Sequence, residues 1–318
     1  MEFFTHTLIK SLDEKIDYPG DMLLLGSCFS EHIAKKLLHY HFNLTANPTG
    51  ILFNPQSIAQ SLEMFASGTI PQIEKDSDMY FSYDVHSSLS KHSEEEFLDE
   101  LKRKIEIGRS ALLKSRFCIF TLGTAYVYRL KSGHTVANCH KQPSSLFSKE
   151  LLTVDEISDM FLSLLRSVLK GKEVIFTISP VRHLSDGLQE NSLSKATLRV
   201  AVDKICRFAS NAHYFPSYEI FMDELRDYRF YDTDMIHPAE QGIEYVWEKF
   251  KEFAISSNAY GLMEKVHKIM QAAGHHPLHP QSAEYRSFCK EQIAKIDSLS
   301  GKVDLSAERD FFLEYTKN

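Results

Sequence analysis

The 318-residue sequence predicts an α/β fold in which a mostly parallel sheet lies between two layers of helices. Continuous apolar runs that end at glycine or proline are typical of buried parallel strands, and they cover residues 22–25, 117–122 and 173–179. A weaker run over 214–222 is interrupted by proline. Segments with helical periodicity separate these runs. Strands separated by helices pair in parallel and are covered on both faces, so we expect a three-layer α/β/α sandwich.

Helices are predicted from capping signals and from apolar spacing. An amphipathic run over 31–40 follows the first strand. Ser93 and Thr153 each precede a glutamate by three residues, which is the pattern of a capping box at a helix start. A further apolar stripe covers 193–208. Pro238 is expected in the first turn of a last helix of the main domain.

Two parts of the chain fall outside this alternation. Residues 41–92 are rich in turn signals, notably Asn47-Pro-Thr-Gly50 and Asn54-Pro55, and are predicted to be irregular. Residues 258–318 carry two apolar stripes at helical spacing. We therefore expect one main domain, residues 1–257, with a C-terminal helical extension packed on it.

Composition excludes several classes of protein. The formal net charge of −7 gives no reason to expect nucleic-acid binding. No run of about 18 apolar residues is present, so no membrane span is expected. The five cysteines are scattered and odd in number, which favours free thiols and a cytoplasmic location.

The chemistry-bearing signal is Ser27, on the turn between the first strand and its helix. This position is rigid, and the following helix directs its unpaired N–H groups toward it. A serine nucleophile needs a histidine as base and a carboxylate to orient that histidine. The segment Asp234-Met-Ile-His237-Pro supplies both, at a three-residue spacing that suits a tight turn.

Other interpretations of these residues remain open. Ser27 and His237 are also suited to capping the helices that follow them. Cys28 is a chemically better nucleophile, although we expect it to face the core. The carboxylate of Asp223, Asp227 or Asp232 is a possible replacement for Asp234, without the local spacing to His237.

Several motifs resemble those of one family in the same order. Gly26-Ser-Cys-Phe-Ser30 resembles the motif that names the GSCFA family, with serine where alanine is common. The others are Asn47-Pro-Thr-Gly50, Leu122-Gly-Thr-Ala125, Val136-Ala-Asn-Cys-His140, Ser179-Pro-Val-Arg-His183 and Asp234-Met-Ile-His-Pro238. The resemblance covers roughly residues 20–255. That family is similar to the SGNH (GDSL-type) hydrolases, which cleave or transfer acyl groups of esters. The resemblance implies an SGNH/flavodoxin-like sheet with Ser27 as nucleophile, His237 as base and Asp234 as its orienter.

The oxyanion hole departs from the SGNH pattern. Those enzymes use the serine amide, a glycine and an asparagine in a Gly-x-Asn sequence, where this chain has Gly123-Thr-Ala125. Gly50 matches the glycine, and Asn138, Asn47 or the Thr124 hydroxyl is expected to replace the missing asparagine. Losing one donor typically lowers the rate by about 10²–10³. A non-catalytic ligand-binding module is therefore the alternative to an enzyme.

Further residues are candidates for lining the site. Arg182 and His183 follow a predicted strand and either bind an anionic part of the substrate or form a surface salt bridge or a cap. Asn138 and His140 lie in an expected hairpin arm, and Asp84-Val-His86 offers another histidine.

We expect a serine esterase or acyl-transferring enzyme that acts on small-molecule or carbohydrate esters without a metal or organic cofactor. His275, His276 and His279 invite a metal site, but two neighbouring prolines and the lack of a nearby carboxylate or thiol favour a plain loop. A third class is a structural protein that assembles through residues 258–318, so an oligomer is possible.

Overall fold

The computed structural model describes residues 5–275 and 277–316 and confirms the α/β architecture. The strands are β1 (Met22–Gly26), β2 (Leu44–Ala46), β3 (Glu74–Asp76), β4 (Met79–Phe81), β5 (Phe117–Leu122), β6 (Tyr126–Leu130), β7 (Thr135–Val136), β8 (Phe147–Leu151), β9 (Glu173–Ile178) and β10 (Ala212–Phe215). The central sheet has the order β10-β9-β5-β1-β2, and every pair in it is parallel. Strands β3 and β4 form a hairpin, and β7-β6-β8 form a small antiparallel sheet.

Ten α-helical segments are present in the described ranges. They are α1 (Cys28–His39), α2 (Pro55–Ser67), α3 (Glu94–Lys114), α4 (Val154–Arg166), α5 (Gly187–Phe208), α6 (Ser217–Glu219), α7 (Glu240–Ala254), α8 (Ser257–Ala273), α9 (Ala283–Asp297) and α10 (Ser306–Glu314). A π-helical segment, Ile220–Leu225, continues α6. None of the helices described is at once long enough and apolar enough to cross a bilayer.

The central sheet is buried on both faces because its side chains alternate between two cores. Leu23 and Leu25 of β1 pack into one core with α2, α4 and α5, whereas Met22 and Leu24 pack into the other with α1 and α7. Burying one such side chain contributes about 1.5–3 kcal/mol. The arrangement is the three-layer sandwich that the apolar runs predicted.

The predicted helix starts hold for α3 and α4. The Ser93 side chain accepts a hydrogen bond from the backbone of the first turn of α3, and Thr153 forms a complete capping box with Glu156. The prediction of irregular structure over 41–92 was wrong. Asn54 caps α2 and Pro55 is its first residue, so a motif interpreted as a turn is a helix start.

Two element boundaries also differ from the sequence prediction. The strand expected over 214–222 ends at Phe215, because Pro216 cannot continue the ladder and a helix follows. Pro238 precedes α7, whose N-cap is Ala239, and forms a bridge with Tyr231 instead.

The C-terminal helices α8, α9 and α10 bury a cluster of their own that includes Val266, Cys289 and Phe312. Ala259 and Met263 of α8 belong to the core of the sandwich. The helical segment is therefore packed on the main domain.

The turn after β1 requires glycine. Gly26 has φ of +144°, and a Cβ there would lie 2.3 Å from the carbonyl oxygen of Thr121 on β5. The Ser27 amide donates to the same carbonyl at 3.1 Å. The end of β1 is thus held against β5 at van der Waals contact.

We expect Gly26→Ala to lower the free energy of unfolding by about 3 kcal/mol, because both the positive φ and the contact with Thr121 oppose a methyl group. Urea denaturation measures the change. Gly261→Ala is the matched control: no heavy atom lies within 4 Å of the added methyl in α8, and it should stabilise by about 0.5–1 kcal/mol. A Gly26→Ala protein as stable as wild type would contradict this account of the turn.

Candidate active site

A cavity of about 580 Å³ lies at the carboxyl ends of β1, β5 and β9. Strand β1 pairs with β2 at one edge and with β5 at the other, so the strand order reverses at β1. The cavity therefore lies at the topological switch point. Ligands bind at this place in doubly wound sheets, and the volume is typical of small-molecule sites. Its lining residues include Ser27, Cys28, Asn54, Thr124, Asn138, Lys149, Ser179, Arg182, His183, Asp186 and His237.

Ser27 is 2% exposed, and its hydroxyl has no hydrogen-bond partner among the described residues. It occupies the N-cap position of α1 without making a side-chain cap, so the capping interpretation of Ser27 is wrong. A buried hydroxyl left unpaired costs about 1–3 kcal/mol. Since Ser27 lines the cavity, a water or a ligand bound there can pair with its hydroxyl.

His237 and Asp234 form a local pair. The imidazole Nδ1 lies 2.6 Å from Asp234 Oδ2, while Oδ1 accepts the amides of Ile236 and His237. The hydrogen bond from His237 lowers the pKa of Asp234 to about 2, so the carboxylate is ionised at neutral pH. When the imidazole is neutral, this contact places its proton on Nδ1 and leaves the Nε2 lone pair to accept a proton. The helix-cap alternative for His237 fails, because Ala239 is the cap residue.

Ser27 and His237 line the same cavity, but they are not hydrogen-bonded to each other. The His237 side chain is 45% exposed on the loop before α7, whereas Ser27 is held in the turn after β1. Catalytic hydrogen bonds are often long before a substrate binds and tighten in the complex. A relay between these residues therefore requires the His237 imidazole to come closer to Ser27.

Cys28 lines the cavity beside Ser27, so the expectation that it faces the core was wrong. Burial raises the pKa of its thiol, and the amides of Phe29 and of Cys28 itself, which point at the sulfur, oppose this only in part. The thiol is therefore protonated at neutral pH. The Cys28 amide has no backbone acceptor in the described chain, as expected for the first residue of a helix.

The oxyanion donors expected from the sequence are mostly engaged elsewhere. The Ser27 amide donates to Thr121, and the Thr124 hydroxyl is 3.0 Å from that of Ser194 and accepts from the Tyr126 amide. Of the expected donors that line the cavity, only Asn138 has one that makes no hydrogen bond within the described ranges. Its Oδ1 accepts from a backbone amide at 2.8 Å, while its Nδ2 has no partner within the described ranges.

Gly50 and Asn47 do not lie at the cavity, which corrects two expectations. The Gly50 amide donates to the Asn47 carbonyl at 2.8 Å, and the glycine packs against His86. The Asn47 side chain accepts from the Gly26 amide at 2.9 Å and donates to Ser30. These residues shape the turn that carries Ser27 rather than contact a ligand.

His140 is also a structural residue rather than a lining one. Its Nε2 lies 3.1 Å from the Val85 carbonyl, and its ring packs on Phe81 at 4.5 Å. Asp84 pairs with His134 at 2.9 Å, away from the lining residues. The expected role of His140 in the cavity was therefore wrong.

Asn54 is a lining residue that the sequence analysis missed. Its Oδ1 caps α2 through the Ser57 amide at 2.8 Å, and its Nδ2 makes no hydrogen bond to a described group. The only signal was the Asn-Pro pair, whose capping role places this amide at the rim of the sheet.

His183 is a second imidazole at Ser27. A methyl built on Gly123 would lie 3.4 Å from Ser27 Cβ and 3.5 Å from His183 Nε2, so Gly123 separates the two. Burial, and then the positive charge of Lys195, lower the pKa of His183 to about 4. His183 is therefore neutral at physiological pH and does not bind anions by charge.

Lys195 of α5 is a second residue that was missed. It is 2% exposed, and its Nζ donates to the Gly123 carbonyl at 2.6 Å and to the Ser179 carbonyl at 2.7 Å. Burial lowers the pKa of Lys195 to about 7, and no described carboxylate pairs with it. A single ammonium thus joins the ends of β5 and β9 beneath the cavity.

The described residues contain no group of three or more histidine, cysteine or acidic side chains arranged to hold a metal ion. Of the three histidines between α8 and α9, His276 lies outside the described residues.

Comparison with protein-family models matches residues 21–250 to the GSCFA family. Residues 266–318 match a second model, described as the C-terminal domain of GSCFA domain proteins. The two matches cover the sandwich and most of the C-terminal helices. A comparison with curated proteins finds no match to this chain.

Lys195 predicts a specific dependence of stability on pH. Lysine in an unfolded chain titrates near pH ~10.4, whereas the folded pKa is about 7. Between these values the unfolded chain binds one proton more than the folded chain. The contribution of Lys195 to the free energy of unfolding is therefore constant below about pH 7 and rises by about 1.4 kcal/mol per pH unit above it.

Chemical denaturation of wild type and Lys195→Met across this range measures the effect. The stability of wild type relative to the variant should increase from neutral to alkaline pH. Lys204→Met is the control on the same helix, because Lys204 pairs with Asp155 at the surface and its pKa is raised. If the difference in free energy of unfolding between wild type and Lys195→Met does not change with pH, the burial of this ammonium is contradicted.

Proposed function

The chain belongs to the GSCFA family, and we propose that it hydrolyses or transfers acyl groups of carboxylic esters with Ser27 as nucleophile. One observation carries the proposal. A buried hydroxyl without a partner among the described residues lines a ligand-sized cavity that is also lined by an aspartate-held imidazole. Small-molecule or carbohydrate esters are the proposed substrates.

The proposed reaction begins when the loop carrying His237 closes on Ser27. Because Asp234 accepts both local amides and Nδ1, the carboxylate and the imidazole move as one unit. Nε2 takes the hydroxyl proton as Ser27 Oγ bonds to the ester carbonyl carbon. The tetrahedral intermediate then expels the alcohol, which takes that proton from His237. Water or a second alcohol attacks the acyl-serine by the same route and releases the acyl group.

The oxyanion is proposed to be held by donors other than those of the SGNH pattern. The Asn54 Nδ2 and the Asn138 Nδ2 belong to lining residues and have no acceptor among the described groups. The Cys28 amide points only at its own thiol and has no backbone acceptor in the described chain. The amide that follows the nucleophile replaces the Ser27 amide, which Thr121 engages. Side-chain amides are less rigid than backbone amides, so we expect slow turnover.

The second candidate function is a ligand-binding module without catalysis. Two observations favour it: Ser27 and His237 are not hydrogen-bonded, and the Ser27 amide is occupied. Such a module would bind esters or alcohols in the same cavity without forming an acyl-serine.

Labelling with a fluorophosphonate distinguishes the two functions. We expect wild type and Cys28→Ala to form a covalent adduct that mass spectrometry locates on Ser27, and Ser27→Ala to form none. Cys28→Ala is the matched control because the two side chains are adjacent and line the same cavity. An adduct that is absent from wild type, or that is lost in Cys28→Ala, would overturn the serine esterase proposal.

The identity of the base is tested by labelling rates. His237→Ala should slow labelling by at least about 100-fold, which is typical of a lost general base. His183→Gln should slow it by less than about tenfold, because its imidazole has no orienting carboxylate in the described chain. The reverse order would assign the base to His183.

A further inference from the structure

Arg182 lines both the main cavity and a smaller one of about 190 Å³. The smaller cavity is lined by Arg182, Phe221, Met222, Arg226, Asp227, Tyr228 and Tyr231. Arg182 is therefore the residue that the two cavities share.

Among the residues that line the two cavities, three cations (Lys149, Arg182 and Arg226) outnumber two carboxylates (Asp186 and Asp227). Asp227 is held by Arg229 through hydrogen bonds of 3.0 and 2.7 Å, and Asp186 in the main cavity is held by Lys149. Each carboxylate thus has its own cation. Arg182, in contrast, forms no ion pair with any carboxylate in the described ranges, which overturns the surface salt bridge considered for it.

Tyrosine rings hold Arg182 in place. Its guanidinium carbon lies 4.9 Å from the centre of the Tyr231 ring and 5.6 Å from that of Tyr228, and it contacts the Tyr228 hydroxyl at 3.4 Å. Cation–π packing uses the face of the guanidinium and leaves N–H groups at its edge for a ligand. Arg226, which lines the smaller cavity, likewise has no ion-pair partner among the described residues.

We propose that Arg182, Arg226, Tyr228 and Tyr231 form an anion subsite that binds a carboxylate or phosphate group of the ester substrate. A planar guanidinium matches both groups through paired hydrogen bonds. The tyrosine rings favour an aromatic or apolar portion next to that anion. The identification of the bound molecule as a substrate rests on the proposed esterase function, whereas anion binding itself does not.

Calorimetry on Ser27→Ala protein tests the anion subsite without turnover. The probes are benzoate, phenyl phosphate and benzamide, which is the neutral analogue of benzoate. At least one anion should bind about tenfold more tightly than benzamide, as expected for hydrogen bonds to a charged group. The tighter of the two anions identifies carboxylate or phosphate as the preferred group.

Variants assign the preference to Arg182. Arg182→Gln should abolish it, and Arg182→Lys should keep part of it because the charge remains without the planar fork. Arg103→Gln, which removes an exposed arginine paired with Glu100 on α3, is the charge-matched control and should leave binding unchanged. Equal binding of anions and benzamide, or a preference that survives Arg182→Gln, would overturn the proposal.

Failure of the subsite is separable from failure of the esterase. Fluorophosphonate labelling of Ser27 without anion preference would remove the subsite and keep the nucleophile. Anion preference without labelling would keep the subsite as part of a ligand-binding module.

Discussion

The close approach of the β1–α1 turn to the end of β5 is the constraint on which the site depends. Gly26 has no room for a side chain against Thr121, and the Thr121 carbonyl accepts the Ser27 amide. These contacts place the serine at the switch point of the sheet and engage its amide. In the proposed reaction the oxyanion donors must therefore differ from those of the SGNH pattern.

A second theme is positive charge at the cavity of a protein whose formal net charge is −7. Lys195 lies beneath the strand ends and Arg182 at the boundary of the smaller cavity. Interactions with such charges are stronger where water is excluded than at the surface. The same burial keeps His183 neutral. The two imidazoles that line the cavity therefore differ, because His237 has a carboxylate partner and His183 has none among the described residues.

The sequence predicted the fold better than the site, for physical reasons. Buried strands such as β1 and β5 are continuous apolar runs, so local composition reveals them. Lys195 could not be found in this way, because its burial depends on two carbonyls, those of Gly123 and Ser179, that only the folded sheet brings together. The prediction for Gly50 was wrong for a similar reason. Its motif matched the family pattern, but its amide donates to the Asn47 carbonyl within its own turn.

The most direct measurement is a crystal structure of the protein after reaction with a phosphonate. The account predicts a covalent bond between Ser27 Oγ and phosphorus, with His237 Nε2 moved to within about 2.6–3.2 Å of that oxygen. The phosphoryl oxygen should face the Cys28 amide and a side-chain amide of Asn54 or Asn138. Phosphorus bonded to Cys28, or a His237 imidazole that stays out of reach of Ser27 in the adduct, would contradict the account.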